Sequence, residues 1–159
     1  MHARSPFEQS HDIAQLLARY AHCIDDDRLE EWPDFFTDAC DYRVVTRDNV
    51  DRGLPLAAIA CHSRGMLQDR VVSLRHANVY EKHRYRHLVS NVLIDSAGET
   101  LRVRSSFAVY RTRTNGASDV FLVGMYDDEI VAAEGGWKFR RRTVICDTSR
   151  VDTLLVTPL

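Results

Sequence analysis

The stretch TLRVRSSFAVYRTR, residues 100–113, decides the fold. Leu101, Val103, Phe107 and Val109 fall on one side of an alternating pattern, and Arg102, Arg104, Ala108 and Tyr110 on the other. A period of two marks a strand with one buried face. Downstream, Asn115-Gly116 signals a tight hairpin. Residues 119–132 then read as a further long strand, Glu134-Gly135-Gly136 as a turn, and 137–147 as the last strand. Upstream, Ser96-Ala97-Gly98-Glu99 reads as a tight turn, and 84–95 is rich in β-branched and aromatic residues. The second half is therefore a meander of long antiparallel strands.

The first half reads as helices. Ile13, Leu16, Leu17, Tyr20 and Ile24 recur at steps of three and four, an amphipathic stripe that ends near Asp25. Ser10 is one candidate cap, and Ser5-Pro6-Phe7-Glu8 is an earlier capping box. Asp27 with Glu30 predicts a second capping box, opening a short helix that buries Leu29, Trp32 and Phe36 and is interrupted by Pro33. Residues 41–46 read as a strand, 47–53 as a polar loop and 54–61 as a short strand. Ser63 caps a third helix with the stripe Met66, Leu67, Val71 and Leu74. Helices followed by a strand meander make an α+β class. The expected solution is a strongly curved, mostly antiparallel sheet wrapped around the helices as an open cone.

At 159 residues the chain is the size of one domain, 1–159, able to fold without a disulfide or metal. Hydrophobic residues at 45% and charged residues at 28% exclude disorder. No apolar run approaches the ~20 residues of a membrane helix, and residues 1–9 contain no apolar signal core. A cytoplasmic protein is expected. The net charge of −2 argues against a nucleic-acid partner. Charge is nonetheless uneven: residues 1–60 hold 6 basic against 12 acidic side chains, and residues 61–159 hold 15 against 11. Cys23, Cys40, Cys61 and Cys146 lie far apart with no CxxC, so an iron–sulfur or zinc site built by this chain alone is not expected. Four free, largely buried thiols are.

Candidate chemistry is sparse. His83 and His87 sit four apart on a predicted strand, a separation of roughly 13 Å that forbids joint chelation. Asp25-Asp26-Asp27 is explained by helix capping. His87 shares a strand face with Tyr85, Val89, Asn91 and Leu93, a face that can point into the cone. One reading is therefore a stand-alone dehydratase or isomerase, with His87 as base, Tyr20 or Tyr42 as hydrogen-bond donor and Asp26 as orienter. Another is a small-ligand-binding module. No nucleophile elbow, P-loop, dinucleotide fingerprint or zincin motif occurs. The most unusual feature is the arginine content, 19 against 2 lysines. Arg84, Arg86, Arg102, Arg104 and Arg140 are candidates for a subunit interface that meets carboxylates. The apolar tail containing Leu154 and Leu155 supports it, because such a tail needs a cover.

Several stretches resemble one family. The helix ending Tyr20-Ala21-His22-Cys23-Ile24-Asp25, the run Glu31-Trp32-Pro33-Asp34-Phe35-Phe36 and the strand Tyr42-Arg43-Val44 look like the start of the small (β) subunits of Rieske non-haem iron aromatic-ring-hydroxylating dioxygenases. The helix at 66–71, the segment 80–92 and the ending Cys146-Asp147-Thr148 through Asp152-Thr153-Leu154 resemble it too, so the likeness runs nearly the whole chain in order. It is nearest to the benzoate, hydroxybenzoate and terephthalate branch. The resemblance implies a cystatin-like or NTF2-like cone. It implies an α3β3 hexamer whose α subunit carries the Rieske [2Fe-2S] cluster and the mononuclear Fe(II). It further implies a non-catalytic, scaffolding β chain with a homotrimer core, no cofactor or metal of its own and no assigned catalytic residue.

Overall fold

A computed structural model describes residues 5–76, 82–95, 99–149, 155 and 157–159. Helix α1 runs Pro6–Asp25. Its start follows the capping box at Ser5: the Glu8 N–H donates to the Ser5 hydroxyl, and the Ser5 N–H donates back to the Glu8 carboxylate at 2.8 Å. Ser10 lies inside the helix instead. The predicted stripe is buried, with Cys23 and Ala21 added to it.

After α1 the chain turns through Asp27, whose φ of 59° is left-handed, into a 3-10 helix, Leu29–Phe35. The expected Asp27–Glu30 capping box does not form, since the cap position is Arg28 and makes no side-chain cap bond. Both carboxylates go instead to Arg75, Asp27 at 2.9 Å and Glu30 at 2.8 Å. A positive φ at Asp27 removes it from the geometry a cap needs.

Strand β1, Phe36–Thr46, begins five residues earlier than its sequence suggests. Helix α2, Arg47–Asp51, replaces the expected loop, because the Thr46 hydroxyl accepts from the Asn49 N–H. Strand β2 shrinks to Ile59–Cys61. Helix α3 is Arg64–His76, and Ser63 caps it as expected, accepting from the Met66 N–H at 3.2 Å. Leu67, Val71 and Leu74 are buried, while Met66 is exposed.

Four long strands follow: β3 His83–Ile94, β4 Thr100–Arg113, β5 Ser118–Ala133 and β6 Gly136–Cys146. The six strands lie in the order β2-β1-β6-β5-β4-β3. Every pairing is antiparallel except β1 with β6, which is parallel. The sheet is mixed and unclosed, with β2 and β3 as its edges. Helix α1 packs on β3 and β6, and α3 on β1. The α+β architecture expected from the sequence is the one observed.

The β4 alternation holds: Leu101, Val103, Phe107 and Val109 are buried, and Arg102, Arg104 and Tyr110 are exposed. In β3 it fails after Val89. Asn91 sits at φ 55° and the β3–β4 register slips between Ser90 and Leu93. This bulge leaves Asn91 and Leu93 in solvent, off the face shared by Tyr85 and His87. Gly124 is needed for close approach, because a Cβ there would run into the Ile145 carbonyl oxygen of β6.

The core is aromatic. Trp32, Phe36, Tyr42, Tyr20 and Phe139 meet edge to face or tilted, with ring centroids 5.1–6.3 Å apart. Leu159 is fully buried among them. The apolar tail is thus covered at Leu159 by its own chain, and Leu155 is half-buried against the same core. Leu154 lies outside the described residues, as does most of the turn at 96–99.

Candidate functional site

His87 and Asp25 come together, although 62 residues separate them. Helix α1 ends at the free edge of β3 and presents Asp25 to it. One carboxylate oxygen lies 2.6 Å from His87 Nδ1, and the other accepts the His87 backbone N–H at 2.9 Å. Side-chain exposure is 0% for His87 and 2% for Asp25. The double grip fixes the ring and satisfies an edge amide that would otherwise face an open groove. His87 Nε2 is buried and has no hydrogen-bond partner among the described residues.

The pair borders a cavity of about 360 Å³. Ala14, Ala18 and Ala21 of α1 form one wall, one helical turn apart. The β3 wall includes Arg86, His87 and Val92. Asp26, the carboxylate that the sequence reading set beside His87, is not there. It is half-exposed and lies 3.8 Å from Arg28. A clue to Asp25 was available: a carboxylate at a helix C-terminus opposes the dipole and is retained when a partner compensates. Nothing in the sequence named that partner.

Tyr20 and Tyr42 are far from solvent and already engaged. The Tyr20 hydroxyl donates to the Leu159 carbonyl at 2.7 Å and accepts from Trp32 Nε1 at 3.1 Å. The Leu159 N–H donates to the Tyr42 hydroxyl at 3.0 Å. Burial pushes the Tyr20 hydroxyl up to about 12, against the opposing pull of Arg142.

A buried Arg–Asp pair was not legible in the sequence. Arg142 on β6 and Asp128 on β5 are register partners, both fully buried, with Nε 3.7 Å from the carboxylate. The guanidinium lies over the rings of Tyr126, Tyr20 and Phe139, at 3.6, 4.1 and 4.5 Å from their centroids. Burial raises the Asp128 carboxyl to about 7, and Arg142 holds it back from rising further. Three consecutive arginines at 140–142 conceal which one turns inward.

The outer-face arginines are mostly paired within the chain. Arg102 bonds Asp127 at 2.9 Å, Arg104 bonds Asp95 at 2.7 Å, and Arg140 bonds Glu129 at 2.8 Å. Arg84 and Arg86 are exposed, with no ion pair among the described residues. Beside them Leu88, Tyr110, Val120 and Val123 expose apolar surface on β3, β4 and β5. All four cysteines are buried and free. Among the described residues no three His, Cys, Asp or Glu side chains are grouped to hold a metal, and no helix is long and apolar enough to cross a membrane.

Residues 6–143 match the SnoaL-like domain. The chain is 45% identical over 149 residues to the small subunit of anthranilate 1,2-dioxygenase of Burkholderia cepacia, covering 93% of this chain and 92% of that one. It is 40% identical over 148 residues to a β subunit of the terminal oxygenase component of terephthalate 1,2-dioxygenase of a Comamonas species, covering 92% and 96%. Among solved structures, a β subunit assigned to an aromatic-ring-hydroxylating dioxygenase of Novosphingobium aromaticivorans DSM 12444 superposes with a TM-score of 0.86. It shares 43% identity, covering 94% of this chain and 95% of that one. With its α+β fold and near end-to-end match, the chain belongs to the small (β) subunits of aromatic-ring-hydroxylating dioxygenases, within the SnoaL-like fold.

Proposed function

We propose that this chain is a non-catalytic scaffold that holds the large subunits of a ring-hydroxylating dioxygenase in an α3β3 assembly around a β homotrimer. The observation that carries this reading is the interior. Tyr20, Trp32, Phe36, Tyr42 and Phe139 pack against one another there, and Leu159 is buried among them with its backbone held by Tyr20 and Tyr42. The outer sheet face supports it as well, since Leu88, Val123 and Tyr110 are exposed beside Arg84 and Arg86, which have no ion pair among the described residues. Apolar surface rimmed by guanidinium groups suits a protein partner. On this reading the ring acids are the substrate class, and the large subunit carries the Rieske cluster and the Fe(II). The scattered, buried cysteines of this chain do not fit either group. A scaffold matters to turnover because electrons must pass between centres on neighbouring large subunits, and their spacing is what it sets.

The test is co-expression with the large subunit followed by mass determination. A complex of equal subunit numbers is expected. A chain that remains monomeric and never co-purifies with an iron–sulfur protein overturns the scaffold reading. One observation favours the stand-alone dehydratase or isomerase, namely the buried His87–Asp25 pair. Turnover of a small molecule by the isolated chain, abolished by His87→Gln, is the result that would establish it.

A further inference from the structure

The groove between α1 and β3 has features that subunit assembly does not require. Arg86 and His87 are consecutive on β3, so their side chains face opposite sides of the strand. Both border the cavity, which therefore wraps around the free edge of the sheet. At about 360 Å³ it falls at the small end of the range for ligand sites and suits one small ring. The alanines at 14, 18 and 21 present only methyl groups, leaving a flat slot opposite Val92.

Among the described residues the groove is bordered by one guanidinium without an ion pair, that of Arg86. Both Asp25 oxygens are engaged by His87, so Asp25 does not present a free carboxylate to the groove. His87 Nε2 is buried, fixed in direction by the Asp25 grip and without a partner among the described residues. A buried polar atom left unpaired is unfavourable. With Nδ1–H donated to Asp25, Nε2 of a neutral ring is an acceptor that a ligand N–H or O–H satisfies, which leaves a ligand's negative charge to Arg86. We propose that this groove binds a small aromatic carboxylate, its ring against the alanine wall and its charge met by Arg86. This site is separate from the interior, shares Arg86 and Leu88 with the exposed face proposed to meet a partner, and does not rest on the scaffold reading.

The test uses the full chain and benzoate, with benzamide as the uncharged isostere, by titration calorimetry and amide chemical shifts. Benzoate is expected to saturate, with shifts confined to 14–25 and 86–92, and benzamide to bind at least about tenfold more weakly. Arg86→Gln is expected to weaken benzoate by a similar factor. Ala18→Trp, on an exposed helix position, is expected to fill the slot and abolish binding. Both variants should retain the wild-type melting temperature, which separates loss of the site from loss of the fold. Absence of saturable binding, shifts elsewhere in the protein, or equal affinity of wild type and Arg86→Gln overturns the proposal. Such a failure leaves co-purification with the large subunit untouched, so the two readings fail separately.

Discussion

The Tyr20 hydroxyl donates to the backbone carbonyl of Leu159 at 2.7 Å, joining the first helix to the far end of the described chain. Tyr42 holds the same residue by its N–H, and Trp32 supports Tyr20 in turn. Leu159 thus works as a core residue held by its backbone as well as by its side chain.

Truncating that side chain should leave a cavity among rigid aromatic rings. Leu159→Ala is expected to lower stability by about 2–4 kcal/mol, read as a shift in the denaturant midpoint. A change under about 0.5 kcal/mol would show that Leu159 does not occupy the core.

Asp25 and Asp26 are neighbours with opposite expected behaviour. Asp25→Ala strips the buried His87 of its Nδ1 and backbone partners together and should destabilise by about 2–5 kcal/mol. Asp26→Ala removes one half-exposed charge and should fall within about 0.5 kcal/mol of wild type. Parallel thermal and chemical denaturation of the two variants decides it.

The Asp128 carboxyl, raised from 3.8 to about 7 by burial, ties stability to pH. Its neighbours in charge are Arg142, Asp127 and Arg141. Because the folded form holds its proton at pH values where the unfolded form has lost it, this group's contribution is full below about 4. It declines up to about 7 and is level above that. The difference in unfolding free energy between wild type and Asp128→Asn, followed from pH 4.5 to 8, should track that slope. A flat difference would mean that Asp128 ionises normally in the fold.

Gly124 is held by space rather than by backbone angle. Gly124→Ala should push β5 away from Ile145 and cost about 1–3 kcal/mol, measured by urea denaturation. Gly53→Ala has open space around it but a φ of 64°, so any loss there reports backbone strain instead.

The Ile13–Ile24 stripe, the β4 alternation, the Ser5 and Ser63 caps and the α+β class were all readable from residue order. Each is a local matter: a period of 3.6 or 2, or a side chain bonding three residues away. Other features depended on what arrived from a distance. Asp27 and Glu30 look like a capping box until Arg75 claims both carboxylates. Residues 36–40 look like a helix end until β6 pairs alongside them. The bulge at Asn91 resets the face of β3 without any mark in the local pattern.

The candidate site divides along the same line. His87 could be singled out by its face on a strand, and the family by motifs spread along the chain. Which aspartate stands beside it, that Arg142 rather than Arg140 turns inward, and that Leu159 fills the interior were settled only when strands met helices. Periodicity is carried by neighbours in the chain. A partner 62 or 139 residues away is selected by packing, where burial makes one carboxylate indispensable and leaves the next one in water.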